Sequence, residues 1–178
     1  LIHTTLVPYL ETTGEQKTKP TQHSIRDLRE LGLEPDMIVG RSEESLKDDV
    51  KEKISLFCDV PTDNVVSDPN LETVYELPLV FEEQDVGEII SEKLNIGDRK
   101  RNLREWQNRI ENLQKESISR IALCGKYTQM DDSYASVEEA LRHSATEIGG
   151  SVEVEQVDTE EFDKESLKGF DGVIVPGG

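Results

Sequence analysis

The alternation of short apolar runs with segments of helical periodicity constrains the fold of this chain more than any other feature. The runs PDMIVGR and VPTDNVVS are typical of short buried strands, and the segments around them repeat apolar residues every three or four positions. This alternation predicts an α/β sheet, in which ligands gather at the carboxyl ends of the strands. Arg41 and the segment 68–71 end two such strands, so we expect them at a binding edge.

Three helices are predicted in the first half of the chain. One has Pro20 in its first turn and stops at Gly32, a second is capped by Ser42, and a third follows Pro78. Each has an apolar stripe that we expect to face the sheet. The stripes comprise Ile25, Leu28 and Leu31; then Leu46, Val50, Ile54 and Phe57; then Val86, Ile89, Ile90 and Leu94.

A fresh pattern starts at Ser119, after a strongly polar stretch. Residues 96–118 are interpreted as an interdomain linker with one amphipathic helix, on which Trp106 and Ile110 share a face. In residues 119–178, RIALCGKY, SVEVEQV and GVIVPGG are predicted strands, and Asp132 or Ser133 is the expected cap of the helix after the first. We therefore expect parts of two doubly wound, Rossmann-like α/β domains, 1–95 and 119–178, the second of them incomplete.

The overall charge narrows the classes of partner. The chain has 38 acidic against 20 basic residues, a formal net charge of −18, which disfavours general binding to nucleic acids or anionic membranes. Cys58 and Cys124 belong to no CxxC or His-rich pattern and are predicted to be core thiols of a cytoplasmic protein. Any anionic ligand must then be bound at a local site.

One local cationic motif interrupts this acidic background. In GEQKTKPTQ, Lys17 and Lys19 lie two residues apart before Pro20, which favours an extended Lys19 at the start of a helix. Free N–H groups and the positive end of the helix dipole would join two ammonium groups there, which suits a polyphosphate. Gln22 adds an amide suited to a base edge or sugar. Spacing alone supports two solvated surface lysines about equally well.

Longer segments closely resemble one family. HTTLVPY, GEQKTKPTQHSIRDLRELGLEPDMIVGRS, KISLFCDV and VYELP resemble the synthetase domain of CTP synthases. RIALCGKYTQMDDSYASVEEALRH and GVIVPGG resemble the start of that family's class I glutamine amidotransferase domain. The resemblance implies the C-terminal part of the synthetase (amidoligase) domain in 1–95, a linker in 96–118, and the N-terminal part of the amidotransferase domain in 119–178.

The resemblance also implies an activity and its ligands. Members of the family are ligases that aminate UTP to CTP, with ATP as co-substrate. The reaction passes through an O4-phosphorylated intermediate, and glutamine is the source of the ammonia. CTP inhibits by feedback, GTP activates allosterically, and Mg²⁺ is required, with ligands outside this segment. The family assembles as a homotetramer, a dimer of dimers; whether this protein forms filaments stays open.

Individual residues acquire roles through the same resemblance. The pocket shared by UTP and CTP corresponds to Lys17, Thr18, Lys19, Pro20, Thr21, Gln22 and Lys53. The ATP side corresponds to Arg41, Asn70 and Leu71. In the amidotransferase part, Gly177 corresponds to the oxyanion-hole donor and Gly178 to a glutamine contact, although a strand-ending turn would explain VPGG alone.

Several parts of the family's machinery are not found in this sequence. We see no P-loop, no acidic Mg²⁺ pair and no nucleophilic cysteine with its His and Glu; Cys124 lies on a predicted strand instead. The segment alone is therefore predicted to be inactive. A non-catalytic pyrimidine-nucleotide-binding or assembly module is the alternative, and another glutamine amidotransferase, which would lack KTKPTQ, ranks third.

Overall fold

The computed structural model describes residues 1–97, 102–130, 132–160 and 163–177, and it divides the chain into two compact units, Leu1–Arg101 and Asn102–Gly178. The strands and helices of the first unit are β1 (Ile2–Leu6), β2 (Tyr9–Leu10), β3 (Glu15–Gln16), α1 (Lys19–Glu30), β4 (Met37–Arg41), α2 (Asp48–Cys58), β5 (Val65–Asp68), α3 (Leu77–Glu82) and α4 (Val86–Leu94). Those of the second are α5 (Arg104–Leu113), β6 (Ser117–Gly125), α6 (Ala135–Glu147), β7 (Ser151–Asp158) and β8 (Gly172–Ile174).

A parallel sheet in the order β1-β4-β5 forms the centre of the first unit. In the middle strand, Ile38 is opposite His3 of β1 and Val65 of β5. The short strands β2 and β3 pair as an antiparallel ribbon between β1 and α1. The predicted α/β class is thus confirmed.

Apolar side chains cover both faces of this sheet. Because successive strand residues point to opposite faces, Ile38 belongs to a core with α1 and α2, while Met37 and Val39 belong to a core with α3 and α4. Full burial of one such side chain contributes about 1.5–3 kcal/mol relative to exposure. Strand β4, buried on both faces, is therefore the element around which the unit packs.

Three residues predicted to face inward are instead exposed. Leu31, Phe57 and Leu94 are 76%, 57% and 62% exposed, and each lies within one residue of the end of its helix. Phe57 and Cys58 lie three and four residues after Ile54, and both positions fit a helical stripe. Packing buries Cys58 and leaves Phe57 exposed. Sequence periodicity does not distinguish these two positions.

The side-chain caps predicted for two helices are also wrong. Helix α2 begins at Asp48, six residues after Ser42, whose hydroxyl instead donates to the Glu44 carbonyl. Helix α6 begins at Ala135 with Tyr134 as its N-cap, and no side chain caps it. Acidic residues in the first turn, such as Glu138 in α6, favour these helix starts through the helix dipole instead.

Gln84, between α3 and α4, satisfies the outer edge of strand β5. Its Nε2 donates to the carbonyls of Ser67 (2.9 Å) and Val80 (3.1 Å), and its Oε1 accepts from the Ser67 backbone N–H at 2.8 Å. Lys51 Nζ, 3.1 Å away, donates to the same oxygen. One amide thus pairs both backbone groups of a buried residue, as a neighbouring strand would.

The second unit contains a parallel sheet in the order β7-β6-β8. Ala122 and Cys124 of β6 form a small core with Val157, against which Leu167 and Phe170 pack. The buried Tyr134 accepts hydrogen bonds at its hydroxyl from the backbone N–H groups of Lys126 (3.0 Å) and Tyr127 (3.2 Å). This tyrosine therefore holds the turn that follows β6.

The helix predicted within 96–118 forms as α5, which belongs to the second unit and packs against α6. Asn112 Nδ2 donates to the Thr146 carbonyl at 2.9 Å. The reading of this segment as a linker stays a prediction. Across the described ranges, none of the helices has the length and apolarity needed to cross a membrane.

Replacing Gln84 by leucine should lower the free energy of unfolding by about 1–3 kcal/mol, because it leaves the buried Ser67 N–H and carbonyl unpaired. Urea unfolding followed by circular dichroism measures this effect. Glu52→Ala, at an exposed position of α2, is the control and should change stability by less than about 0.5 kcal/mol. Equal midpoints for the two variants would contradict this role of Gln84.

Candidate functional site

The carboxyl ends of three parallel strands meet at one edge of the first unit. Leu6, Arg41 and Asp68 end β1, β4 and β5 and are opposite one another in the sheet register. This places Arg41 in the middle of the edge, where the sequence predicted a binding site. Ligands of α/β sheets bind at such edges because the loops that follow the strands converge there.

Arg41 is held in place by the end of the neighbouring strand. Its Nη1 donates to the Asp68 backbone carbonyl at 3.1 Å and lies 3.6 Å from the Asp68 carboxylate. The following loops are joined as well, because the Asn70 N–H donates to the Glu43 carbonyl at 3.3 Å. The structure thus joins the loops that follow Arg41 and Asp68, in which Asn70 is exposed and Leu71 half-buried.

The lysine motif leads into helix α1, which begins at Lys19, with Pro20 in its first turn. The prediction of an extended Lys19 is therefore wrong. A proline in the first turn removes only an N–H that would lack an intrahelical partner, so the helix can include the residue before it. Lys19 thus stands at the positive end of the helix dipole.

Two threonines of the motif face the interior rather than the surface. Thr18 and Thr21 are buried, and the Thr21 hydroxyl donates to the Leu6 carbonyl at 3.4 Å. The Thr18 hydroxyl accepts from Gln22 Nε2 at 3.0 Å. These contacts attach the start of α1 to the end of β1 and bring the lysine motif to the carboxyl edge of the sheet.

Lys17 pairs with an acidic neighbour that the sequence reading did not single out. Its Nζ contacts the carboxylate of Glu15, two residues earlier in the chain. The hydrogen bond and the charge of Lys17 lower the pKa of Glu15, and the charge of Lys53 lowers it further. Lys53, which lies on α2, is therefore within electrostatic reach of the ribbon that carries Lys17.

Gln16 is a second residue that sequence reasoning missed. It is buried, and its Nε2 donates to the carbonyls of Glu44 (3.3 Å) and Ser45 (3.1 Å), while its Oε1 accepts from the Lys47 N–H at 3.1 Å. These bonds join the ribbon to the loop that leads into α2. No pattern in the sequence reveals them, because every partner is a backbone atom about 30 residues away.

The remaining candidates belong to other parts of the chain. Gly177 follows β8 in the second unit, is exposed, and has no atom within 4 Å of where a Cβ would stand. Gly178 is outside the described residues. His3, half-buried on β1, shares a 2.9 Å hydrogen bond with Ser24.

Metal ligands were expected outside this segment. Within the part of the chain that the structure describes, no group of three or more His, Cys, Asp or Glu side chains could hold a metal ion. We therefore derive no metal-dependent step from the described side chains.

Comparison with known proteins identifies close relatives. A family model described as the CTP synthase N-terminus matches residues 1–96. The chain is similar to the CTP synthase of Archaeoglobus fulgidus, at 47% identity over 184 residues, and to that of Halalkalibacterium halodurans, at 42% over 182 residues. These alignments cover 100% and 99% of this chain and 34% of each relative, so the chain spans about a third of the proteins it matches.

Lys17→Met should raise the pKa of the Glu15 carboxyl toward the ordinary glutamate value, because the hydrogen bond and the nearest positive charge are lost. A carboxyl group whose pKa is lowered in the folded state stabilises the fold at pH values above the ordinary glutamate pKa. This stabilisation disappears as the pH falls through the lowered pKa. The stability difference from Lys17→Met should therefore vanish at acidic pH.

A carboxyl-detected NMR titration of wild type and variant measures this pKa. The control is Lys51→Met, because Lys51 bonds Gln84 and should leave Glu15 unchanged. An identical Glu15 pKa in wild type and Lys17→Met would show that the ion pair does not form in solution.

Proposed function

We propose, because the chain belongs to the CTP synthase family, that it is a segment of a ligase that converts UTP to CTP, and that its first unit binds the nucleotide phosphates. The observation that carries this proposal is the cationic start of α1, held at the carboxyl edge of a parallel sheet in a chain of net charge −18. Because the rest of this acidic protein repels anions, a local cationic cluster favours the binding of one specific anionic ligand at this place.

In this proposal the pyrimidine nucleotide lies against the start of α1. Lys17, Lys19 and Lys53 supply positive charge for the triphosphate of UTP or of the inhibitor CTP, and Gln22 supplies the amide. Thr18 and Thr21 act from the interior by fixing the start of the helix, since both are buried. Pro20 fixes the backbone of the first turn of α1, and this holds the contacts of Thr18 and Thr21 in place.

ATP is assigned to the neighbouring part of the same edge. Arg41, at the end of the central strand, and the loop at Asn70 and Leu71 would contact it, which agrees with the hydrogen bonds that join these loops. Two nucleotides at one sheet edge would place the uracil O4 near the γ-phosphate that it must attack.

Cations are necessary for this chemistry because both substrates are polyanions. Two unit charges about 4 Å apart repel by about 4 kcal/mol at an effective dielectric constant of about 20, and the two triphosphates present several such pairs. Once O4 is phosphorylated it becomes a leaving group, which ammonia displaces to form CTP. The lysine cluster and Arg41 are the residues of this segment that we assign to charge neutralisation.

The second unit is proposed to be the start of the glutaminase that supplies ammonia. Its parallel sheet β7-β6-β8 agrees with this assignment, as does the open space around Gly177 after β8. The backbone N–H of Gly177 would stabilise the oxyanion of the glutamine intermediate, and Gly178 would contact glutamine. Activation by GTP, a requirement for Mg²⁺ and a homotetrameric assembly are part of the same proposal.

Lys17→Ala combined with Lys19→Ala in the parent enzyme should raise the KM for UTP by at least about tenfold and weaken CTP inhibition, because two charge-assisted contacts are lost. Steady-state kinetics with UTP varied, with and without CTP, measure both effects. Lys93→Met is the control, since Lys93, on α4, pairs with Asp36 just before β4.

Unchanged KM and unchanged inhibition in the double variant would refute the assignment of the lysines. A parent protein that binds CTP but produces none from UTP, ATP and ammonia would instead support a non-catalytic binding module.

Gly177→Pro in the parent enzyme removes the proposed donor N–H and should lower glutamine-dependent CTP formation by about 10²–10³-fold. Ammonia-dependent formation should persist, because it bypasses the glutaminase. Gly177→Ala is the matched control: it keeps the N–H, and its methyl group enters open space. Equal losses with glutamine and with ammonia would exclude an oxyanion role.

A further inference from the structure

We propose that Glu15 is an internal competitor of the nucleotide: its carboxylate pairs with Lys17 in the free protein and is displaced by a phosphate group, so that Glu15 sets the affinity of the site. This inference rests on the proposed function, because it takes the triphosphate site as given. It adds a residue that opposes binding to the residues that promote it.

The geometry of the ribbon brings Glu15 and Lys17 together. Side chains two residues apart on an extended chain point to the same side, and Gln16 between them points inward. The three hydrogen bonds of Gln16 hold this part of the ribbon against the loop before α2, and the Lys17 N–H donates to the Pro8 carbonyl at 2.8 Å. The ion pair therefore forms on a fixed backbone.

Both members of the pair remain accessible to a ligand. The side chains of Lys17 and Glu15 are 37% and 62% exposed, so a phosphate can reach the ammonium group without opening the fold. Exchange of partners requires only rotation of the Glu15 side chain. An exposed ion pair contributes little stability, so a multiply charged phosphate can replace the carboxylate.

The Glu15 carboxylate is affected by the same positive charges that would bind the nucleotide. Lys17 and Lys53 both act on Glu15, and both are assigned to the triphosphate. In the free protein, Glu15 thus provides the negative counter-charge for these lysines that the phosphates would provide in the complex. When the nucleotide binds, the displaced carboxylate stays on the same ribbon and repels the phosphates. Competition and repulsion both weaken binding.

Glu15→Gln removes the negative charge but keeps the size of the side chain. Binding of CTP to the parent protein should become about three- to tenfold tighter, as measured by isothermal titration at fixed salt. A residue that only supported the ribbon would give weaker binding when replaced. The gain is therefore specific to the competitor role.

The matched control is Glu11→Gln, on the turn between β2 and β3. Among the described residues Glu11 has no ion pair, so this variant should bind CTP as the wild type does. A second probe, inorganic tripolyphosphate, should gain affinity in Glu15→Gln by a similar factor, because the competition involves the phosphates. In a Lys17→Met background, Glu15→Gln should give a smaller gain.

The outcomes separate this inference from the function on which it rests. If wild type binds CTP and Glu15→Gln binds it equally or more weakly, the role of Glu15 is overturned and the nucleotide site stands. If wild type binds neither CTP nor tripolyphosphate, the proposed function fails, and this inference fails with it.

Discussion

The parallel pairing of β4 with β1 and β5 is the interaction on which the first unit depends. It buries Ile38 on one face and Val39 on the other, and it sets Leu6, Arg41 and Asp68 side by side at one edge. Because side chains alternate along a strand, a slip of one residue would exchange the two cores. The register that forms the cores therefore also sets the geometry of the candidate site.

Two glutamines connect this sheet to its surroundings in a similar way. Gln84 pairs both backbone groups of Ser67 at the outer edge of β5, and Gln16 attaches the lysine-bearing ribbon to the loop before α2. In each case an uncharged amide bonds backbone groups that lack a strand partner. Because uncharged amides make these contacts, charged side chains are not needed for them. Lys17, Lys53 and Arg41 remain at the surface, where they are accessible to an anion.

The proposal that so acidic a protein binds polyanions rests on the same arrangement. Positive charge is concentrated at the start of α1, and Glu15 neutralises part of it in the free protein. Arg41 is similarly paired with Asp68 at the neighbouring strand end. The proposed ligands would exchange these internal carboxylates for phosphates, so selectivity would arise from competition as well as from attraction.

The sequence by itself determined the α/β class, the strands that end at Arg41 and Asp68, and the helix that follows the lysine motif, because these depend on local periodicity and on proline. Only the tertiary structure decided that Phe57 is exposed while Cys58 is buried and that Thr18 and Thr21 face inward. It also decided that Gln16 bonds the loop before α2 and that Glu15 pairs with Lys17. Helical spacing permits either of two adjacent positions to face the core, and packing chooses between them. Hydrogen bonds to backbone atoms about 30 residues away leave no pattern in a sequence, because every residue carries the same backbone groups.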